Sequence, residues 1–133
     1  MSLIDTIRRV PGVVDKVIKE RKELTAGLFA YLGDKLSSIN EIVLIGSGTS
    51  NTCSMTSHEF VEKASGISTT VLLPNLFLEK CAYNPNALYI FTSQSGTSTL
   101  TQKALLKMKE LGNLTVAVTE DASSPLASVG GCH

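Results

Sequence analysis

Apolar and polar positions alternate with the period of a helix along the first forty residues. Apolar side chains recur at spacings of three and four over residues 13–36, which predicts one long amphipathic helix. Pro11 suits the start of that helix, because the N–H that proline lacks would be unpaired there. Charged side chains fill much of the opposite face over residues 16–22. We therefore interpret residues 1–40 as an N-terminal helical segment with a solvated charged face.

The period changes after residue 40, where short continuous apolar runs alternate with helical patterns. A run that is apolar on both faces is typical of a buried parallel strand. The predicted strands are Ile42–Ile45, Thr69–Leu73, Ala87–Phe91 and Leu114–Val118, and the predicted helices are Asn51–Ala64, Leu76–Cys81, Ser98–Leu111 and one that opens at Ser123–Leu126. This alternation predicts an α/β domain over residues 41–133, with a three-layer, doubly wound parallel sheet in the flavodoxin-like order 2-1-3-4.

The last four residues, Gly130–His133, read as the lead-in to a further strand. A sheet of four strands that stops there is smaller than a complete doubly wound domain. We therefore expect residues 41–133 to form a partial domain, whose C-terminal strand or strands lie beyond His133.

Composition and charge exclude several classes of function. The 133 residues include 12 basic and 12 acidic side chains, and a net charge of zero argues against a nucleic-acid surface. No apolar stretch reaches the ~20 residues of a membrane span, and the first residues do not resemble a secretory leader, which predicts a cytoplasmic protein without a membrane partner. The cysteines are odd in number, lack C-x-x-C spacing and are expected to be ordinary buried or half-buried thiols: Cys53, Cys81 and Cys132.

Two loops rich in glycine and hydroxyl side chains carry the candidate chemistry. Gly46–Ser50 and Ser93–Ser98 each lie between the end of a predicted strand and the start of a helix. A helix N-terminus exposes unpaired N–H groups and carries about half a positive charge, so it binds anions without a lysine or arginine. In the order 2-1-3-4, both loops follow neighbouring strands at the switch point, where ligands bind. The sequence predicts an anion site there; the alternative is that these hydroxyls only cap their helices.

Other phosphate-binding motifs match less well. The chain contains no G-x-x-x-x-G-K-[ST] pattern of a nucleotide P-loop. Asn51 stands where a dinucleotide fingerprint that begins at Gly46 needs its third glycine, and the second strand ends in Leu73–Asn75 without an acid for a ribose. We therefore expect neither a nucleotide cofactor nor a metal.

These motifs resemble one known family. A strand that ends in Gly-x-Gly-Thr-Ser, followed later by one that ends in Ser-Gln-Ser-Gly-x-Ser, is similar to the sugar isomerase (SIS) domain of phosphosugar isomerases, fructosamine deglycases and the isomerase domain of glucosamine-6-phosphate synthase. The resemblance covers essentially the whole chain, although Thr97 stands where the synthase pattern has Glu. It implies that a sugar phosphate is bound by Gly48, Thr49, Ser50, Ser93, Gln94, Ser95 and Ser98.

The resemblance also implies what the chain lacks for catalysis. In the family, the Glu, His and Lys that move protons and open the sugar ring lie beyond the region present here, and a second SIS domain follows in a protein more than twice as long. The acids of this chain are expected to be solvated surface groups: Glu59, Glu62, Glu79, Glu120 and Asp121. His58 is expected to have a structural role, and His133 to be a mobile terminal residue. We therefore expect no turnover by this chain alone.

Three functions remain open at this point. The first is the front part of a phosphosugar isomerase, deglycase or amine-transfer enzyme, which binds a sugar phosphate. The second is an effector-binding module of a transcription regulator, although only one long helix, and no helix-turn-helix pattern, precedes the first strand. The third is a non-catalytic oligomerisation unit, because a long helix and an unpaired sheet edge both promote association. A homo-oligomer is expected in the first and third cases.

Overall fold

The computed structural model describes residues 2–130 and Cys132. A long helix and a 3₁₀ helix precede an alternation of strands and helices. The elements are α1 (Leu3–Leu32), the 3₁₀ helix (Gly33–Ser38), β1 (Glu41–Gly46), α2 (Thr49–Ser65), β2 (Ser68–Leu72), α3 (Pro74–Leu78), β3 (Ala87–Thr92), α4 (Thr99–Glu110), β4 (Leu114–Val118) and α5 (Pro125–Val129).

The strands form one parallel sheet in the order β2-β1-β3-β4, which confirms the predicted topology. β1 lies inside the sheet, where Ile45 pairs with Leu72 of β2 and with Phe91 of β3. The last residues of β1 and β3, Gly46 and Thr92, are paired directly. The two loops that follow these strands therefore start side by side at the carboxyl edge of the sheet.

A further strand position lies on the edge of β4 that faces away from β3. Cys132 forms a parallel bridge to Val116 there, and the N–H of Ala117 donates to the carbonyl of Cys132 at 2.8 Å. This contact agrees with the prediction that the last residues lead into another strand. Gly131 and His133 lie outside the described residues.

Helices cover both faces of the sheet, as predicted for a three-layer domain. On one face, α3, α4 and α5 bury a core around Phe77, whose ring meets those of Tyr89 and Phe91 edge-on at centroid distances of 5.6 and 5.9 Å. On the other face, α2 and the end of α1 cover a second core, which comprises Leu32, Ile39, Ile42, Leu44, Leu88 and Val116. The strands are apolar on both sides because each side meets a helical layer.

The start of α1 differs from the prediction. The helix begins at Leu3, and Pro11 lies inside it. Ser2 and Asp5 form a capping box, in which Ser2 Oγ accepts from the N–H of Asp5 and Asp5 Oδ2 accepts from the N–H of Ser2. This cap stabilises the first turn well upstream of the proline. α3 also begins earlier than the predicted helix Leu76–Cys81, at Pro74, because a proline is tolerated in the first helical turn.

Most of the apolar stripe of α1 is exposed. Only its last turns pack on the sheet, through Leu28, Tyr31 and Leu32. The apolar side chains upstream are about half exposed or more, from 48% for Val14 to 77% for Leu3. Within residues 2–130 and 132, none of the helices combines the length and the apolar character needed to cross a bilayer.

Candidate functional site

A crevice opens at the carboxyl edge of the sheet, between the loops after β1, β3 and β4. Because Gly46 and Thr92 are paired in register, loop one (Gly46–Ser50) and loop two (Ser93–Ser98) form two of its walls. The cavity has a volume of about 280 Å³. It is lined by Thr49, Ser50, Cys53, Thr92, Gln94, Val118, Thr119 and Glu120.

Loop one leaves the N-terminus of α2 without a side-chain cap. Gly48 takes the N-cap position with φ +55°, a left-handed conformation that favours glycine, and no side chain accepts from the first-turn N–H groups. Within the described residues, the hydroxyls of Thr49 and Ser50 form no hydrogen bond, although both residues line the crevice. The capping alternative is therefore wrong for loop one, and its donors remain open to a ligand.

The serine hydroxyls of loop two differ in whether they form a hydrogen bond to a neighbouring side chain. Ser93 is 7% exposed, and its backbone N–H donates to the carbonyl of Val118 at 3.0 Å, while its hydroxyl has no partner among the described residues. Ser95 Oγ lies 2.7 Å from Thr97 Oγ1. Ser98 is the N-cap residue of α4 but does not cap it, because its hydroxyl pairs with that of Thr101 at 2.9 Å instead.

Gly96 explains why loop two can approach the segment after β4. It has φ +65°, and its carbonyl accepts from the N–H of Leu126 at 3.0 Å at the start of α5. A Cβ at this position would overlap Ser124 and lie 2.9 Å from Thr119 Oγ1. Only glycine meets both the backbone and the space requirement here. Ser124 itself caps α5, since its Oγ accepts from the N–H of Ala127 at 3.3 Å.

Gln94 is held by the segment after β4. Its side-chain Nε2 donates to Glu120 Oε2 at 3.0 Å, and its carbonyl accepts from the N–H of Glu120 at 3.0 Å and from Thr119 Oγ1 at 3.1 Å. Loop two and the residues after β4 therefore form one braced unit. Asp121 supports the same segment: Ser123 donates to Asp121 Oδ1 from its N–H at 2.8 Å and from its hydroxyl at 2.6 Å, and these bonds lower the pKa of the carboxyl.

The structure places three of the seven predicted site residues in the cavity lining, and five lining residues lie outside the predicted set. The three are Thr49, Ser50 and Gln94, and the five others are Cys53, Thr92, Val118, Thr119 and Glu120. The other four predicted residues belong to the same two loops but do not line the cavity: Gly48, Ser93, Ser95 and Ser98. Glu120 is exposed, as expected of a solvated surface acid. Its position after β4, the strand beside β3, also places it at the same edge of the sheet as loop two. The position of β4 beside β3 in the predicted strand order was the sequence signal that could have identified Glu120 as a site residue.

The remaining ionisable candidates lie away from the crevice. His58 Nδ1 donates to the carbonyl of Met55 at 2.7 Å within α2. Glu62 accepts from the N–H of Thr69 at 2.7 Å and ties α2 to β2, and Glu59 lies 4.0 Å from Lys63. Among residues 2–130 and 132, no group of three or more His, Cys, Asp or Glu side chains is arranged to hold a metal ion.

The burial predicted for the cysteines is wrong in two cases. Cys53 and Cys81 are exposed, and Cys132 is half-buried. Cys53 is exposed because it follows the first turn of α2 and faces the crevice, and Cys81 because it lies in the loop after α3.

A parallel sheet in the order 2-1-3-4, with a crevice between the loops after β1 and β3, is a doubly wound α/β arrangement with its crevice at the switch point. Over 98% of its length, the chain superposes on 36% of a candidate phosphosugar isomerase from Clostridium difficile 630, with a TM-score of 0.82 and 19% identity. It also superposes on tagatose-6-phosphate ketose/aldose isomerase from Escherichia coli, with a TM-score of 0.66 and 18% identity over 86% of this chain and 32% of that one.

Curated relatives match over a similar range. Glutamine–fructose-6-phosphate aminotransferase of Staphylococcus epidermidis RP62A is 24% identical over 128 residues, which are 94% of this chain and 21% of the relative. The same enzyme of Staphylococcus aureus Mu50 is 26% identical over 129 residues, with the same coverage. The chain thus spans about a fifth of the length of these relatives. No protein-family model matches the chain. The resemblance to SIS domains is confirmed by these relatives and by the fold.

Proposed function

We propose that this chain binds the phosphate group of a sugar phosphate in the crevice between loop one and loop two. The observation that carries the proposal is that the N-terminus of α2, which has no side-chain cap, opens on this crevice through Thr49 and Ser50. Loop two borders the crevice through Gln94 and leads into α4, which also lacks a side-chain cap. The N-terminus of α2 directs unpaired N–H groups and a partial positive charge at the crevice, and the start of α4 adds to this charge from the neighbouring loop. A dianionic phosphate is the kind of ligand that such an arrangement stabilises.

The hydroxyls take different parts in this proposal. Those of Thr49, Ser50 and Ser93 donate directly to phosphate oxygens, because they have no protein partner among the described residues. The hydroxyls of Ser95 and Ser98 each bond to a neighbouring threonine hydroxyl. Rotation about χ1 breaks this bond and lets each hydroxyl bond to the ligand instead. Gly48 lets the backbone approach the ligand, and Gln94 holds loop two in place through Glu120.

The names of the relatives support a phosphosugar as ligand. The curated relatives are named for fructose 6-phosphate, and two solved structures of the same fold are named for tagatose 6-phosphate and glucosamine 6-phosphate. We propose that the chain is the phosphosugar-binding part of a longer isomerase, deglycase or amine-transfer enzyme, and that it does not turn over substrate alone. A cytoplasmic location remains a prediction from the sequence.

Thermal unfolding with added ligand tests the proposal. Glucose 6-phosphate at ten times its Kd should stabilise the folded chain by about 1.4 kcal/mol through mass action. Thr49→Val and Ser93→Ala should fold normally but bind about tenfold more weakly, since a hydrogen bond to a charged group is worth about 1.5–3 kcal/mol. Ser57→Ala is the matched control, because Ser57 Oγ bonds to the carbonyl of Cys53 within α2 and lies outside the crevice lining. Equal stabilisation of all three variants would refute the site.

The exposed seam of α1 favours a second function, self-association with another copy of this chain. Its apolar residues repeat with the spacing of a coiled coil, and the sheet covers only the last ones. Arg21 interrupts the seam. The exposed members are Leu3, Ile7, Val10, Val14, Val17 and Leu24.

Light scattering across a concentration series tests this second candidate. A dimer at micromolar concentration is expected, and Val14→Glu should shift it to monomer because a buried unpaired carboxylate is costly. Lys19→Glu on the opposite face is the control and should leave the dimer intact. A wild-type chain that stays monomeric at every concentration would contradict this function without affecting the phosphate site.

A further inference from the structure

A second cavity lies at the edge of the sheet opposite the crevice. Its lining comes from the loop that leads into β3, from the end of α4 and from Asn113, which precedes β4. β3 spans six residues between the two edges, so roughly 20 Å separates this cavity from the crevice. Its volume of about 580 Å³ is within the range of small-molecule sites.

The charged side chains that line this cavity are both cations. Lys80 and Lys107 belong to the lining, and none of its described residues is an aspartate or glutamate. The ion pairs found within residues 2–130 and 132 lie on α1 and α2. In that part of the chain, neither lysine of the cavity therefore has a carboxylate within ion-pair distance. Glu79 and Glu110, the acids nearest to these lysines along the chain, are exposed and lie outside the lining.

Lys107 is held in place at the wall of the cavity. Its Nζ donates to the carbonyl of Leu78 at 3.3 Å and lies 4.9 Å from the centre of the Tyr83 ring. Tyr83 is itself fixed, because its hydroxyl donates to the carbonyl of Phe77 at 2.8 Å and its ring packs on that of Phe77. Much of the side-chain entropy that an ion pair costs is therefore lost before a ligand binds. An ammonium has more than one N–H donor, so Lys107 can keep its bond to Leu78 and also donate to a ligand.

The alternative is that Lys107 only compensates the negative end of the α4 dipole. The carbonyls of residues 107–109 already accept hydrogen bonds from the backbone N–H groups of residues 111–113. The ammonium of Lys107 leaves α4 and bonds to a carbonyl of α3. Lys109, in the same turn, bonds to the carbonyl of Val129 at 3.1 Å and lies outside this cavity. The dipole of α4 thus does not account for the direction of Lys107.

We propose that this second cavity binds a small organic dianion that also carries an apolar group. The anionic groups are bound by Lys80 and Lys107, and the apolar part packs on Pro85 and Leu111 of the same lining. A hydrogen bond from an ammonium to a carboxylate or phosphate is about twice as strong as a neutral one. The inference goes beyond the proposed phosphosugar function, because the two sites lie at opposite edges of the sheet and can be occupied together.

NMR titration of the full chain with phthalate tests this inference, because phthalate carries a pair of carboxylates on an apolar ring. Dimethyl phthalate is the matched neutral probe. Phthalate should shift the backbone amide signals of residues 80–83 and 112–113 and should bind about tenfold more tightly than the ester. Lys107→Gln should weaken phthalate binding about tenfold, as the loss of a hydrogen bond to a charged group predicts. Lys80→Gln should weaken it about threefold, as for an exposed ion pair.

Two further variants separate the charge of Lys107 from its part in the fold. Lys107→Arg keeps a cation at this position and should bind phthalate within about threefold of the wild type. Lys109→Gln, in the same turn of α4, is the matched control and should leave phthalate binding unchanged, because Lys109 bonds to Val129 instead. Circular dichroism of each variant establishes that it is folded.

Alkylation by N-ethylmaleimide gives a second readout, which needs no substitution. Cys81 is exposed and lines this cavity, whereas Cys53 is exposed and lines the crevice. Saturating phthalate should slow the alkylation of Cys81 severalfold and leave that of Cys53 unchanged, as measured by mass spectrometry of the digested chain.

The results that would overturn the inference concern this cavity alone. They are equal binding of phthalate and its ester, unchanged phthalate binding in Lys107→Gln, amide shifts confined to loops one and two, or no protection of Cys81. Each would leave the proposed phosphate site standing, since that site is tested with glucose 6-phosphate on Thr49→Val and Ser93→Ala.

Discussion

Replacement of Gly96 by alanine tests whether loop two owes its shape to close packing against the segment after β4. Gly96 has φ +65°, and an added Cβ would overlap Ser124 and lie 2.9 Å from Thr119 Oγ1. The left-handed conformation costs an L-residue about 1–2 kcal/mol. Displacement of Ser124 adds about 1–3 kcal/mol, the usual range for overpacking. The expected loss is therefore about 2–5 kcal/mol, a large share of the ~5–15 kcal/mol that stabilises a typical domain.

Gly112→Ala is the matched control for this experiment. Gly112 also has a positive φ, +77°, but a Cβ there would meet no atom within 4 Å. Urea unfolding followed by circular dichroism measures the free energy of unfolding of both variants. Gly112→Ala should lose only the free energy that the left-handed backbone conformation costs an alanine, and Gly96→Ala should lose about 1–3 kcal/mol more. Equal losses in the two variants would refute the packing argument, because they share only the backbone conformation.

Three further predictions concern stability. Phe77→Ala should lose about 3–5 kcal/mol in urea unfolding, because Phe77 is fully buried between α3 and the sheet; a loss below 1 kcal/mol would contradict this. Hydrogen bonds from Ser123 hold the pKa of the Asp121 carboxyl below its ordinary 3.8. The ionised carboxylate therefore stabilises the folded state above that pH, and this stabilisation is lost as the pH falls through the folded-state pKa. Asp121→Asn should therefore lose less stability than the wild type between pH 5 and strongly acidic solution. Burial raises the pKa of Tyr89 above 10.0, so stability should decrease as pH rises past that value, and less so in Tyr89→Phe.

The strands and their order were predictable because they depend on local pattern. Runs that are apolar on both faces identified each strand of the sheet, and the boundaries in the structure differ by a residue or two. The order 2-1-3-4 followed from right-handed crossovers between parallel strands. The proximity of Gly46 to Thr92 followed in turn, because neighbouring parallel strands end at the same edge.

The start of α1 was also encoded by neighbouring residues, but the prediction relied on Pro11 rather than on the capping box. Ser2 and Asp5 have the spacing of a capping box, whereas Pro11 alone predicts a later start of the helix. A proline inside a helix costs stability through one lost hydrogen bond and a steric clash. At an exposed position near the N-terminus, water can satisfy the carbonyl that loses its partner, so the cap determined where the helix begins.

Sequence alone determined the fold class, the strand order and the two loops at the crevice, because each depends on hydrophobic period and on residues adjacent in the chain. Only the tertiary structure decided which hydroxyls are open, that Gly96 must lack a Cβ, and that Glu120 faces the crevice. The last two features arise from contacts between loop two and the residues after β4, which lie some 25 positions apart in sequence. Local pattern carries no information about such contacts, since they form only when β3 and β4 pair in register.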